Sequence, residues 1–206
     1  MPSESLRQLP EFQVSIRCWR GVPEHRTTLI KGAAGTGKTV MGLEFLYRSA
    51  LADEPAILVS FEETADALRA NAKAMGWDIE NQEKAGKFVL WDAKIDPKAS
   101  TSGEFSIDSL LAIIKGKAEQ ICARRIMIDA VDVLMRIFAD PTKERNELYR
   151  LHDWLVEQQF TTILTAKLSQ SPDTAQRFEF LDYMADCVLQ LDLRVVNQVA
   201  TRRLRV

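Results

Sequence analysis

The 206-residue chain has little of what disulfide-stapled, metal-clustered or membrane-spanning proteins are built from. Its three cysteines, Cys18, Cys122 and Cys187, are far apart and odd in number. They form no Cys-x-x-Cys pair, so neither a disulfide framework nor a zinc site is indicated. Two histidines, His25 and His152, cannot make a histidine-rich metal site. His152 falls four residues after Leu148 on a predicted helix, near its buried border, and reads as a structural histidine. No apolar run approaches the length of a membrane span. Met1 to Arg7 lack the apolar core of a signal peptide, so a cytoplasmic location is expected. The net charge of −2 gives no global attraction for a nucleic acid. A 46% hydrophobic composition is present, and it suits one globular domain with a sizeable core.

Against that plain background, Gly32-Ala33-Ala34-Gly35-Thr36-Gly37-Lys38-Thr39 stands out. It is the complete phosphate-binding pattern G-x-x-x-x-G-K-[ST]. Glycines allow the backbone to fold tightly, so that N–H groups converge on phosphate oxygens. Lys38 would bring an ammonium to the β- and γ-phosphates, and the Thr39 hydroxyl would ligate Mg²⁺. The helix that follows adds its positive N-terminal end. The expected nucleotide-binding residues are Gly32, Gly35, Thr36, Gly37, Lys38, Thr39 and Val40. A Gly-rich turn without a ligand is the bland alternative. The flanks argue against it: Thr27 to Ile30 suits a buried strand, and Val40, Leu43, Leu46 and Tyr47 have helical spacing.

From Thr27 onward strand and helix signals alternate. Ala56 to Ser60, Lys87 to Trp91, Arg125 to Asp129 and Thr161 to Thr165 read as strands. Helices are predicted over Thr64 to Met75, ending at Gly76, from Ile107 to Ile121, and over Thr142 to Gln159. Asp92 to Glu104 reads as a loop, and Leu9 to Ile16 as a short edge strand. Val188 to Asp192 and Ala200 to Val206 form a C-terminal β-hairpin around Asn197-Gln198. The alternation predicts an α/β fold, with a mainly parallel central sheet and helices on both faces.

Ligands of such sheets gather at the carboxyl ends of the strands. Asp129 closes the apolar run Ile126-Met127-Ile128 and is the expected second Mg²⁺ holder beside Thr39. Glu62 and Glu63 lie just past the strand that ends at Ser60. Either could orient, or accept a proton from, a water attacking the γ-phosphate, and the residues alone do not choose between them. Lys38, Glu62 and Glu63 are therefore the catalytic candidates.

Six segments carry a resemblance: Arg26 to Ile30, the loop Gly32 to Thr39, Val59 to Thr64, Asn71 to Asp78, Ala123 to Asp129, and the Thr161 to Thr165 strand. Together they resemble KaiC-type ATPase domains, in the RecA-like branch of phosphate-loop NTPases. Phe61-Glu62-Glu63-Thr64 and Gly76-Trp77-Asp78 are the specific elements. The resemblance implies one ATPase domain over residues 26–206, after an N-terminal segment 1–25. It also implies catalytic carboxylates at Glu62 and Glu63, and a six-membered ring with ATP between neighbours.

This chain departs from the family at several places. The Gly-rich segment expected before the first central strand is lacking from Gln13 to Pro23. A serine near the nucleotide is Ala74 here, and a glutamate after the Thr161 strand is Lys167. The end at Arg202 to Val206 falls short of a Lys-x-Arg-Gly element that reaches the neighbour's γ-phosphate, so a trimmed C-terminus is expected. Asp182 to Asp186, which matches the self-phosphorylating region of the circadian relatives, has no Ser-Thr pair, so autophosphorylation is not expected. No residue selects a kinase acting on another protein. The expected function is Mg²⁺-dependent ATP hydrolysis in an oligomeric switch or clock-type protein with an unknown protein partner. The alternatives are a nucleotide-dependent assembly module with little hydrolysis, or a DNA-acting recombinase. The channel-facing stretch for the latter, near Leu168 to Glu179, holds Arg177 but also Asp173 and Glu179, so it is not a basic track.

Overall fold

The computed structural model describes residues 22–93, 106–138, 140–168, 179–196 and 199–206. The predicted edge strand at 9–16, Cys18, the loop from 94 to 104, most of the channel-facing stretch and the Asn197-Gln198 turn lie outside the described residues.

The elements run β1 Thr27–Gly32, α1 Lys38–Leu51, β2 Ala56–Ser60, α2 Ala65–Ala74, α3 Ile79–Lys84, β3 Phe88–Asp92 and α4 Ile107–Ile121. They continue with β4 Arg125–Asp129, α5 Val131–Met135, α6 Pro141–Glu157, β5 Thr161–Lys167, α7 Phe180–Met184, β6 Cys187–Val196 and β7 Val199–Arg205. The seven-stranded sheet has the order β3-β2-β4-β5-β1-β6-β7. Every pairing is parallel except β6 with β7. The expected α/β architecture, with its mainly parallel sheet and C-terminal hairpin, is the one observed.

Strand periodicity divides the core. Leu29, Ile57, Val59, Ile126, Ile128 and Leu164 face one cluster, with Leu110 and Ile114 of α4 and Leu151 and Leu155 of α6. Ile30, Leu58, Met127 and Ile163 face the other, with Leu43, Phe45 and Leu46 of α1 and Leu68 of α2. Neighbouring strand residues thus enter opposite layers. Each buried Leu, Ile or Phe contributes about 1.5–3 kcal/mol. The two layers hold the strand ends in fixed register.

The predicted helices and strands recur with ends shifted by a residue or two. Thr64 Oγ1 accepts from Ala67 N–H at 3.2 Å and so starts α2. Asp140 Oδ1 accepts from Thr142 N–H at 2.9 Å, with Pro141 opening α6. Three short helices, α3, α5 and α7, were not predicted. Each has five or six residues, too few to show a helical period. β6 runs to Val196 rather than ending at Asp192, because pairing with β7 continues to Val196 opposite Val199. His152 is partly buried on α6, with Nδ1 3.5 Å from the Asp153 carboxylate.

Candidate functional site

Four consecutive strands of the sheet, β2, β4, β5 and β1, end on one edge because they are mutually parallel. Every candidate residue lies at or just past one of these ends. The loop after β1 turns at Gly35 and Gly37, with φ of 75° and 97°. A side chain at either position would be strained in that left-handed region. Gly32 is needed for space instead: a Cβ there would lie 2.5 Å from Leu191 O. Thr36 is buried, and its Oγ1 donates to Ala33 O at 2.9 Å, which tightens the loop. Gly37 caps α1, so the first N–H groups of that helix have no side-chain cap and remain available to an anion. Val40 sits in the first turn of α1, packed against the second core layer.

Lys38 Nζ donates to Gly32 O at 3.1 Å and to Ala33 O at 3.0 Å, so its ammonium is folded onto the loop's own carbonyls. Burial lowers its pKa, against the opposing pull of Asp129, Glu62 and Asp132. The next residue, Thr39, donates through Oγ1 to Asp129 Oδ2 at 3.0 Å. This contact joins residues 90 positions apart in the chain, at the ends of β1's loop and β4.

Asp129 is 1% exposed. Its Oδ1 accepts a short hydrogen bond from Thr165 Oγ1 on β5. Burial raises its pKa, and the two threonine hydroxyls and Lys38 oppose that rise. Its backbone carbonyl accepts from Phe61 N–H at 2.6 Å, which ties the exit of β2 to β4. Past Phe61 the chain turns sharply. Ser60 Oγ donates to Glu63 O at 2.7 Å and accepts from Glu63 N–H at 3.1 Å.

The two glutamates have different surroundings. Glu63 Oε2 accepts from Asn71 Nδ2 at 3.2 Å, which turns it toward α2. Glu62 lies within the field of Asp132, Asp129, Lys38 and Lys167. Both have raised pKa values, first from burial and then from neighbouring carboxylates. The donor set of Thr39 and Asp129 suits a hard cation. Among the described residues no three His, Cys, Asp or Glu side chains cluster as metal ligands. Mg²⁺ does not need such a cage, since it keeps several waters and takes one or two protein oxygens. Thr165, Ser60 and Asp132 were not among the predicted site residues. Thr165 reaches Asp129 across 36 positions, a contact that no local pattern announces.

Among the described residues no helix is long and apolar enough to cross a membrane. The family model for "ATPase: KaiC" matches residues 10–206. The circadian clock protein KaiC2 of Synechocystis sp. is 35% identical over 188 residues, covering 90% of this chain and 33% of that protein. The circadian clock oscillator protein KaiC of Parathermosynechococcus lividus is 32% identical, covering 90% and 36%. The chain thus spans about a third of the length of these curated relatives. The crystal structure of a KaiC-like protein from Pyrococcus horikoshii OT3 superposes with a TM-score of 0.75 at 32% identity, over 88% of this chain and 78% of that one. The sheet with its loop is the RecA-like phosphate-loop fold, and the chain belongs to the KaiC ATPase family.

Proposed function

We propose that this chain binds ATP with Mg²⁺ at the loop after β1 and hydrolyses it, working as an oligomeric switch or clock-type ATPase. Residues 26–206 act in this reading as one ATPase domain, preceded by segment 1–25. The contact from Thr39 to Asp129 carries the proposal, because it unites the phosphate loop with a buried carboxylate on the neighbouring part of the sheet edge. The N–H groups of Gly35, Thr36, Gly37 and Lys38, with the first turn of α1 at Val40, surround the phosphates. Gly32 leaves room for that wrap. Lys38 exchanges the Gly32 and Ala33 carbonyls for phosphate oxygens. Thr39 and Asp129 would hold Mg²⁺, which, when bound, neutralises charge on the phosphate oxygens.

Glu62 is the base in this reading, because the bond from Asn71 turns Glu63 toward α2. Burial raises the pKa of both carboxylates, which makes each a stronger proton acceptor than an open glutamate. A water oxygen attacks the γ-phosphorus, the bond from that phosphorus to the β–γ bridging oxygen breaks, and the water's proton passes to the Glu62 carboxylate. ADP and phosphate leave. Glu63, held by Asn71, keeps the turn into α2 in place. A six-membered ring with ATP between neighbours, a cytoplasmic location and an unidentified protein partner complete the reading by family resemblance.

Phosphate release measured beside oligomeric mass, with and without ATP, tests it. Mg²⁺-dependent release, a fall of about a hundredfold or more in Lys38→Ala, and growth to a hexamer with ATP are expected. Assembly without turnover would favour the nucleotide-driven assembly module. Salt-sensitive binding of single-stranded DNA would favour the recombinase.

A further inference from the structure

Among the buried charges that the mechanism above does not use, Asp132 lies nearest the site's Asp129 in the chain. Asp132 lies at the start of α5, three residues after Asp129, and is 0% exposed. Both of its oxygens are engaged. Oδ2 accepts from the Arg136 guanidinium at 3.3 Å, one turn along, and Oδ1 accepts from the backbone N–H of Lys167 at 3.0 Å. The second contact falls where the sheet runs out of partners. The pairing of β4 with β5 ends at Ile128 opposite Leu164. Successive N–H groups of a strand alternate sides. That of Leu168 turns to β1 and donates to Gly32 O at 3.0 Å. That of Lys167 turns the other way, toward β4, and finds the Asp132 carboxylate in place of a strand carbonyl. A charged acceptor gives a stronger bond than a carbonyl would.

The last turn of β5 is therefore pinned on both sides, and the residue so held is a lysine. Lys167 stands opposite Gly32, the first residue of the phosphate loop, in the β1–β5 register. Side chains alternate along a strand, so Lys167 shares a face with Thr165 and Ile163. That face carries the Thr165 bond to Asp129 and the core layer under α1. Lys167 is the next position along it, exposed, beyond the strand's last buried residue. Its charge is also felt at Lys38 and at Glu62.

We propose that Lys167 is an in-chain cation for the terminal phosphate of the bound nucleotide, and that Asp132 is the positioning residue that holds it at the loop. This rests on the ATPase reading above. Lys167 then touches substrate, whereas Asp132 acts only through the backbone of β5. A cation at the third phosphate stabilises the triphosphate, and the charge that develops during its cleavage, but makes no contact with a diphosphate.

The test compares Lys167→Ala, Lys167→Arg, Asp132→Asn and the Lys167→Ala/Asp132→Asn pair with the parent chain. ATP and ADP affinities are read by calorimetric titration, and kcat and KM by phosphate release. Lys167→Ala should lower ATP affinity about fivefold or more, leave ADP affinity within about twofold, and lower kcat about tenfold. Lys167→Arg should recover most of both. Asp132→Asn should move the ATP-to-ADP preference in the same direction. The double change should be no worse than Lys167→Ala alone, which a general loss of folding stability would not produce. Lys167→Ala with an unchanged ATP-to-ADP preference, in a parent that binds both nucleotides, overturns the proposal and leaves the ATPase reading standing. A parent that binds neither nucleotide overturns both. Exposed Lys167 can be replaced without disturbing the core, so the result holds even where Asp132→Asn does not fold.

Discussion

The ends of β4 and β2 lie side by side, with Asp129 opposite Ser60 in register, yet they present their carboxylates in opposite ways. Asp129 is buried, with one threonine hydroxyl on each oxygen and its carbonyl bonded to Phe61. Glu62 and Glu63 stand on a turn outside the strand, and Ser60 fixes the backbone of that turn rather than their side chains. A metal holder gains from a preset position, because its ligand must sit in a near-ideal octahedral shell. A base must meet a water and carry its proton away, so it gains from reach. In the proposed ATPase reading the two strand ends divide the labour of one site between rigidity and reach.

The sharpest way to break this comparison is to treat the two glutamates unequally. Glu62→Gln should slow single-turnover phosphate release at saturating ATP by about a hundredfold or more, as expected for loss of a general base. Glu63→Gln should cost about tenfold at most, since it loses only the charge beside Asn71. The reverse ranking would assign the base to Glu63 and remove the argument from its contact with Asn71.

Sequence alone left that pair unresolved, and the reason is physical. Adjacent residues on a turn share every local signal, and what separates them lies in three dimensions: Asn71 holds Glu63, while Asp132, Lys38 and Lys167 act on Glu62. The phosphate loop was legible because its task is met by backbone geometry within eight residues, from Gly32 to Thr39. Asp129 was legible because an apolar strand that ends in a carboxylate is itself a local pattern. The sheet and its two faces were legible from the alternation of strands and helices. The third dimension supplied the supports. Thr165 meets Asp129 and Asp132 meets Lys167 across 36 and 35 positions. Lys167 was noted only as a departure from the family's glutamate. Asp78 Oδ1 does accept from Asn81 N–H at 3.1 Å, so an Asp-x-x-Asn cap could have revealed α3 before the structure did.

Replacing the supports rather than the carboxylates sharpens the contrast between the two strand ends. Thr165→Val keeps the shape but removes a hydroxyl that holds Asp129. It should weaken the Mg²⁺ dependence of turnover about tenfold, in the range for lost outer-shell partners of a metal ligand. Ser60→Ala loosens the turn at the end of β2. It should lower kcat about threefold with the Mg²⁺ titration midpoint unchanged, because the turn constrains reach and not the metal ligand. Equal midpoints in the two variants would mean that Thr165 does not position Asp129.

The smallest effect concerns stability, and its sign runs against ordinary intuition about charge removal at a functional site. Glu62 is pushed above its usual value of 4.5, first by burial and then by Asp132 and Asp129. Its folded pKa therefore exceeds the unfolded one, and from about 4.5 upward the folded chain holds more protons than the unfolded chain. Stability is lost as pH rises from there and the folded glutamate ionises. Glu62→Gln removes the cost, so the nucleotide-free chain should melt about 1–2 °C higher at pH 7, a modest gain because solvent screens the exposed side chain. The advantage should shrink toward pH 4.5, where the parent glutamate is itself becoming neutral. The same substitution that removes the proposed base should thus strengthen the fold. Thermal melts of both proteins between pH 4.5 and 8, in buffer without nucleotide, check this, and a variant that melts lower at pH 7 would show that Glu62 is held by its surroundings instead of strained by them.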